Sequence, residues 1–380
     1  MKKFIVFCAG AVLTAGFIMG GCNPSKVEGS EIVKKQYVGK YTMPDESSKH
    51  EGTWLQWPHS FTYGKDYVEK IEPIWIEMTA ALSEGENVHI IAYDEYEKNS
   101  IYDLLYDEGL NMDKIDFYIV STDDVWARDT APIFVYDKDN NMKLMDWGFN
   151  GWGKKTPYKK DALIPSVLSK QLGMERINLN SVVLEGGAFE LDGNGTFLST
   201  RSAVINKNRN PKLTESEIEE YVGENLGASN FIWLDGVPNL DITDFHIDGF
   251  AKFHDKSTII TMKKDDLEEW GLSNKDIKTL MHAKNSSEKP YQYVYLPISK
   301  NNIVLDNGKN LSYKGSYVNY YIGNTVVLVP NYNDPNDKIA NDIIQKLYPN
   351  RKVIGIDVRE LYKDGGMIHC VTQQQPANLK

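Results

Sequence analysis

The chain has 380 residues, with 42 Lys and Arg against 53 Asp and Glu, giving a formal charge of -11. No surplus of basic side chains is available to neutralise phosphates, so nucleic acid is excluded as the expected partner. Apolar residues at 41% and charged residues at 25% exclude disorder as a description of the whole and supply material for a core.

Lys2 and Lys3 precede an apolar run from Phe4 to Gly21 that ends in Gly20-Gly21 before Cys22. This predicts a signal peptide over residues 1–21, to be set aside from the fold. The placement of Cys22 resembles a bacterial lipoprotein signal, in which cleavage leaves that cysteine lipidated at a new N-terminus. The protein is therefore expected to be exported and extracytoplasmic, anchored to the cell membrane through lipidated Cys22. Plain secretion and a retained helix are the alternatives. Of the three cysteines, Cys8 leaves with the signal and Cys22 gives its thiol to lipid. A disulfide framework is then not expected, and Cys370 is left as the free thiol of the mature chain.

Residues 22–48 are polar and read as a lipidated tether and linker, and 49–380 as a single domain, because no composition break follows. Val68, Ile71, Trp75, Met78 and Leu82 fall on one helical face. Further helices are predicted near 160–171, 214–226, 264–270 and 335–347. Thr214 with Glu217 has capping-box spacing, and Asn333 with Asp337 brackets another start. Strands are predicted at Val88–Ala92, Phe117–Val120, Pro132–Tyr136, Thr196–Ser199, Thr258–Thr261, Tyr291–Leu296, Thr325–Val329 and Val353–Ile356. The alternation suggests a repeated, strand-rich α/β unit. No Gly-x-Gly-x-x-Gly follows an early strand, which argues against a dinucleotide-binding sheet.

Four neighbourhoods carry reactive groups. In Asp123-Asp-Val-Trp-Ala-Arg-Asp, Trp126 and Asp129 are close enough in sequence to offer a ring face and a carboxylate to a flat cation. An Arg128–Asp129 ion pair at a turn is the plain alternative. In Leu184-Glu-Gly-Gly, the glycines would let backbone approach closely and crowd Glu185, against a solvated Glu on a turn. If 245–253 is a strand, His246 and Asp248 share one face. His-x-Asp also occurs in metal sites, but too few organised ligands accompany it here for a metal to be expected. In the tail, Gly365-Gly-Met-Ile-His-Cys, Cys370 needs a base or a lowered pKa to act as a nucleophile, and His246 is preferred over His369, which should face the other way.

Together these stretches become recognisable. Val125-Trp-Ala-Arg-Asp-Thr-Ala-Pro, Met145-Asp-Trp-Gly-Phe-Asn-Gly-Trp-Gly, Leu184-Glu-Gly-Gly, Asn206-Lys-Asn-Arg-Asn-Pro, His246-Ile-Asp-Gly and Gly366-Met-Ile-His-Cys-Val-Thr-Gln-Gln-Gln-Pro occur in family order. With Thr53-Trp-Leu-Gln-Trp-Pro-His they resemble the agmatine deiminase branch of the peptidyl-arginine deiminase family, over about residues 50 to 378. The resemblance implies a five-bladed pseudosymmetric α/β propeller, the pentein fold, with the active site on its central axis. It implies Cys370 as nucleophile, His246 as general acid and then base, and Glu185 as the acidic residue beside that histidine. Asp129 and Asp248 would hold the guanidinium, with Trp126 beside it. Phe245 and Ala131 stand where the branch often has Gly.

The implied reaction is hydrolysis of a guanidinium C–N bond through a covalent thiouronium on Cys370, with no metal, nucleotide or redox cofactor. Agmatine leads as the small guanidinium substrate, because the longest motif matches belong to that branch. Peptidyl or free arginine is the alternative, followed by an unrelated small guanidine. A non-catalytic surface binder of cationic amines is the reading from a different class. The family's tendency to assemble makes a homo-oligomer a further expectation.

Overall fold

The computed structural model describes residues 39–379. The signal peptide, Cys22 and most of the expected tether lie outside the described residues. In chain order the strands are β1 (Tyr41–Thr42), β2 (His50–Gln56), β3 (Asn87–Ala92), β4 (Ile115–Ile119), β5 (Ile133–Asp137) and β6 (Met142–Gly148). They continue with β7 (Arg176–Val183), β8 (Phe189–Leu191), β9 (Thr196–Thr200), β10 (Asn230–Leu234), β11 (Ala251–Asp255) and β12 (Thr258–Met262). The last are β13 (Gln292–Leu296), β14 (Tyr321–Ile322), β15 (Val326–Asn331), β16 (Lys352–Asp357) and β17 (Thr372–Pro376).

These strands form five small sheets built to one plan. In each, an antiparallel pair is followed by a helical crossover to a parallel strand: β5-β6 then β7, β8-β9 then β10, β11-β12 then β13, and β14-β15 then β16. A tight connection suffices for the antiparallel step, whereas the parallel step needs a long crossover, which the helices supply. The remaining sheet has its antiparallel pair made from the two ends of the domain, β17 with β2, and then runs parallel through β3 and β4. The sequence-level expectation of a repeated strand-rich α/β unit is met by these five sheets.

The long periodic segments lie where their patterns place them. The helix Lys65–Ser83 buries Ile71, Trp75, Met78 and Leu82. Helix Glu215–Leu226 starts at a full Thr214/Glu217 capping box and stops at Gly227, whose left-handed φ of 81° suits glycine. At 337–347, however, the cap is Asn336 without a side-chain bond, and Asp337 instead accepts from the backbone N–H of Tyr332 and Asp334. The boundary of the linker also moves. Residues 41–42 pair with β5, and Glu46 is packed inside, so the segment from 39 to 48 belongs to the folded unit.

Candidate active site

Each sheet's antiparallel pair is entered through a short turn, and these turns supply the reactive groups. Ala127–Thr130 precedes β5 and carries Asp129. Gly186–Ala188 precedes β8 and follows Glu185. Ile247–Gly249 precedes β11, with His246 just before it and Asp248 inside it. His369–Val371 precedes β17 and carries Cys370. The residues before β14 contribute Asn319, which the sequence reading did not single out. Equivalent points of the repeated unit therefore converge. The expected strand over 245–253 is absent, since β11 begins at Ala251 and Asp244 and Phe245 have positive φ of 63° and 79°. That backbone region favours glycine, so Phe245 holds a conformation its side chain rarely adopts.

Trp126, Asp129, His246, Asp248, Asn319 and Cys370 all line one cavity of about 730 Å³. Asp129 Oδ1 accepts the Gly187 N–H at 2.9 Å, and Oδ2 accepts the Trp152 indole N–H at 2.9 Å. Arg128 turns the other way, donating to Gln374 Oε1 at 2.7 Å and to the His369 carbonyl at 3.3 Å, so the adjacent pair is not an ion pair. His246 lies between acids, with Nδ1 3.8 Å from Asp129 Oδ2 and Nε2 3.9 Å from Glu185 Oε2. His246 Nε2 and Glu185 Oε2 are both buried without a hydrogen-bond partner.

Glu185 is fully buried rather than solvated, and its other oxygen accepts the Arg209 Nε–H at 2.5 Å. Burial raises its carboxyl above the ordinary value, and the charges of Arg209 and His246 only partly oppose this. Arg209 is fixed in turn by Asp244 at 2.9 Å and by the Thr243 carbonyl at 3.0 Å. Burial also works against the Asp248 anion. The His369 hydrogen bond at 2.8 Å outweighs it, together with the charges of His369, His246 and Arg128, and holds that carboxyl below its ordinary range.

Cys370 Sγ donates to Asn319 Oδ1 at 3.5 Å. Burial first, then the charges of Asp248 and Asp129, push its thiol well above the usual range. His369, its chain neighbour, points away from the cavity toward Asp248 and Glu46, as the sequence reading expected, although a 3₁₀ turn and not a strand sets the direction.

Two glycines are required by space. A Cβ on Gly187 would lie 2.7 Å from His246 Nδ1 and 3.0 Å from both Asp129 Oδ1 and Asp248 Oδ2. One on Gly366 would lie 2.0 Å from the Trp126 ring, so this glycine seats the tail against the indole. Trp152 and Arg209 sat inside recognised motifs without an assigned task. Asn319 and Glu46 lay in no motif that the sequence reading used.

A family model for Porphyromonas-type peptidyl-arginine deiminase matches residues 42–376. The chain belongs to this family. A "Putative agmatine deiminase" from Latilactobacillus sakei subsp. sakei is 30% identical over 360 residues, covering 89% of this chain and 96% of that one. Among solved structures, one described as the "Putative Arginine Deiminase" from Porphyromonas gingivalis has 30% identity and a TM-score of 0.78, covering 89% and 98% of the two chains. A C. jejuni agmatine deiminase with substrate bound has 26% identity and a TM-score of 0.76, covering 90% and 97%. The peptidyl-arginine deiminase family fold, a pentein-type α/β arrangement of several small sheets, is thus that of this chain.

Proposed function

We propose that this family member hydrolyses agmatine to N-carbamoylputrescine and ammonia. The observation that carries the reading is one thiol, one imidazole and two carboxylates on the wall of a single cavity, in a chain whose relatives include agmatine deiminases. A guanidinium is flat, cationic and resonance-stabilised, so it must be held before it can be attacked. Asp129 and Asp248 accept its N–H groups and balance its charge, while Trp126 borders it.

The Cys370 thiolate forms a C–S bond to the guanidinium carbon, and the C=N π pair moves onto nitrogen. His246 gives its proton to the departing nitrogen as the C–N bond breaks, releasing ammonia and leaving a thiouronium. Water then attacks the same carbon as His246 takes its proton. The adduct's hydroxyl gives up its remaining proton, which leaves with the ammonia as ammonium, and the C–S bond breaks, returning the thiolate and releasing the neutral ureido product. Glu185, 3.9 Å from Nε2 with an unspent oxygen, supports the imidazolium that precedes the first proton transfer and returns with the second.

Beyond the two clamp carboxylates, the cavity lining favours a second positive charge over a carboxylate. Asp124, Asp241 and Asp364 line the cavity, and among the described lining residues the one Lys or Arg is Lys314, which pairs with Glu269 at 2.8 Å so that neither adds a net charge. An α-carboxylate, as in free arginine, has no unengaged cation there. Agmatine, arginine and a peptide with internal arginine assayed side by side for ammonia test this. Agmatine is expected to lead, and Cys370→Ala to lose the activity. Preference for the peptide would overturn the substrate, and an active Cys370→Ala the mechanism.

The reading also places the reaction outside the cytoplasm, on a chain tethered through lipidated Cys22. Incorporation of a labelled fatty acid, lost in Cys22→Ser, is the expected result. Unlabelled full-length protein in the cytoplasm would remove this part and leave the chemistry standing.

A further inference from the structure

Behind Asp248 lies a buried set of charges that the proposed chemistry does not use and that does not line the cavity. Asp248 Oδ2 meets His369 Nδ1 at 2.8 Å, and the other ring nitrogen, Nε2, meets Glu46 Oε2 at 2.7 Å. Lys252 Nζ lies 2.8 Å from that same Glu46 oxygen, 3.2 Å from Glu190 Oε1 and 3.1 Å from His369 Nε2. An Arg128 terminal nitrogen is 3.7 Å from Glu46, whose second oxygen accepts the Ile322 N–H at 3.1 Å.

Glu46 thus ties four parts of the chain together from a segment that reads in sequence as the end of a linker. Its side chain is 10% exposed. Burial opposes its ionisation, but Lys252, His369 and Arg128 hold the carboxyl well below the ordinary range, so it is an anion. A ring held at both nitrogens cannot turn, and the carboxylate on its far side keeps one orientation.

We infer that Glu46 is a positioning residue of the active site: by holding His369 at Nε2 it fixes the ring that fixes Asp248, and so sets one wall of the guanidinium clamp. This rests on the reading of Asp248 as a guanidinium ligand. The competing account is that Glu46 only neutralises buried Lys252, in which case its loss lowers stability and leaves substrate binding alone.

Kinetics of Glu46→Gln separate the two. Positioning predicts that KM for agmatine rises by about 10- to 100-fold, the range found when a group orienting a ligating side chain is lost, while kcat moves far less. In a His369→Asn background the same change should add nothing further, because the path already runs through that ring. Asp276→Asn serves as a control, removing a buried carboxylate that accepts the Asp235 and Gly236 N–H groups away from the cavity; its KM should stay at the wild-type value whatever its Tm. An unchanged KM in Glu46→Gln, or a full additional rise on top of His369→Asn, overturns the inference. If Glu46→Gln does not fold, His369→Asn alone decides, and an unchanged KM there overturns it. Wild type inactive on agmatine would sink the reaction instead, and the same comparison is then read from calorimetric binding of pentylguanidinium.

Discussion

At the scale of single residues, the proposed nucleophile is opposed by the groups proposed to hold its target. The Asp129 and Asp248 charges that would grip a guanidinium also raise the Cys370 thiol in the empty cavity. A cation bound between them cancels that field, so thiolate forms chiefly in the occupied site. With pentylguanidinium bound in an unreactive pose, the thiol pKa read by ultraviolet absorbance should fall by about one unit or more, each unit being about 1.4 kcal/mol. A thiol pKa that ligand leaves in place would contradict this. Gly187 gives a second residue-scale test. Gly187→Ala sets a methyl against His246, Asp129 and Asp248 at once, on a backbone that needs no positive φ. Displacement of those groups by a few tenths of an ångström to an ångström is expected to lower kcat/KM by about 100-fold while the protein stays folded. Activity within a few fold of wild type would mean that the three groups are freer than their distances indicate.

At the scale of elements, periodicity was a sound guide and turns were not. The helices Lys65–Ser83, Glu215–Leu226 and Lys264–Trp270, and strands such as β3, β12 and β15, carry their apolar pattern in the right period and were legible. Helix Glu95–Asp107 was not, since it buries only Ile101 and Leu105. Nor was β17, a Thr-Gln-Gln-Gln-Pro segment in which two buried amide oxygens meet donors remote in sequence: Gln375 the Trp54 indole at 2.9 Å and Gln374 Arg128 at 2.7 Å. The site residues were legible as motifs, but their supports depend on contacts that no local pattern encodes. The loop before Trp126 illustrates this. Asp161 Oδ1 accepts the Asp123 N–H at 2.7 Å and Gln56 Nε2–H at 3.2 Å, while Oδ2 is buried without a partner. Burial, reinforced by Asp124 and Asp123, lifts this carboxyl from 3.8 to about 7. The folded state therefore binds the proton more tightly than the unfolded one, and the contribution is present at low pH and lost as pH rises from 3.8 to about 7. Asp161→Asn keeps the acceptor and removes the titration. Its Tm relative to wild type should improve between pH 5 and about pH 8; a difference independent of pH would show that Asp161 is ionised in the fold.

For the whole molecule, the site is a consequence of closure. Reactive turns enter each of the five sheets, and one sheet takes strands from both ends of the domain: β17 pairs with β2, Thr372 opposite Leu55 and Gln374 opposite Thr53. Cys370 sits two residues before that strand, so the thiol is placed by the same pairing that completes the first sheet. Non-local pairing of this kind is what hydrophobic periodicity cannot announce, which is why the apolar pattern suggested repeats without showing how the two ends of the domain join. All five residues of β17 are buried, and its removal would expose the edge of β2 along with Trp54 and Leu55. A chain ended after Val371 is therefore expected to lose cooperative unfolding in urea and to become prone to association, although every side chain of the proposed mechanism is still present. A single sharp urea transition near the wild-type midpoint in that shortened chain would mean that β2, β3 and β4 stand without their antiparallel partner, and that the thiol is held by Asn319 and the His369 network rather than by closure.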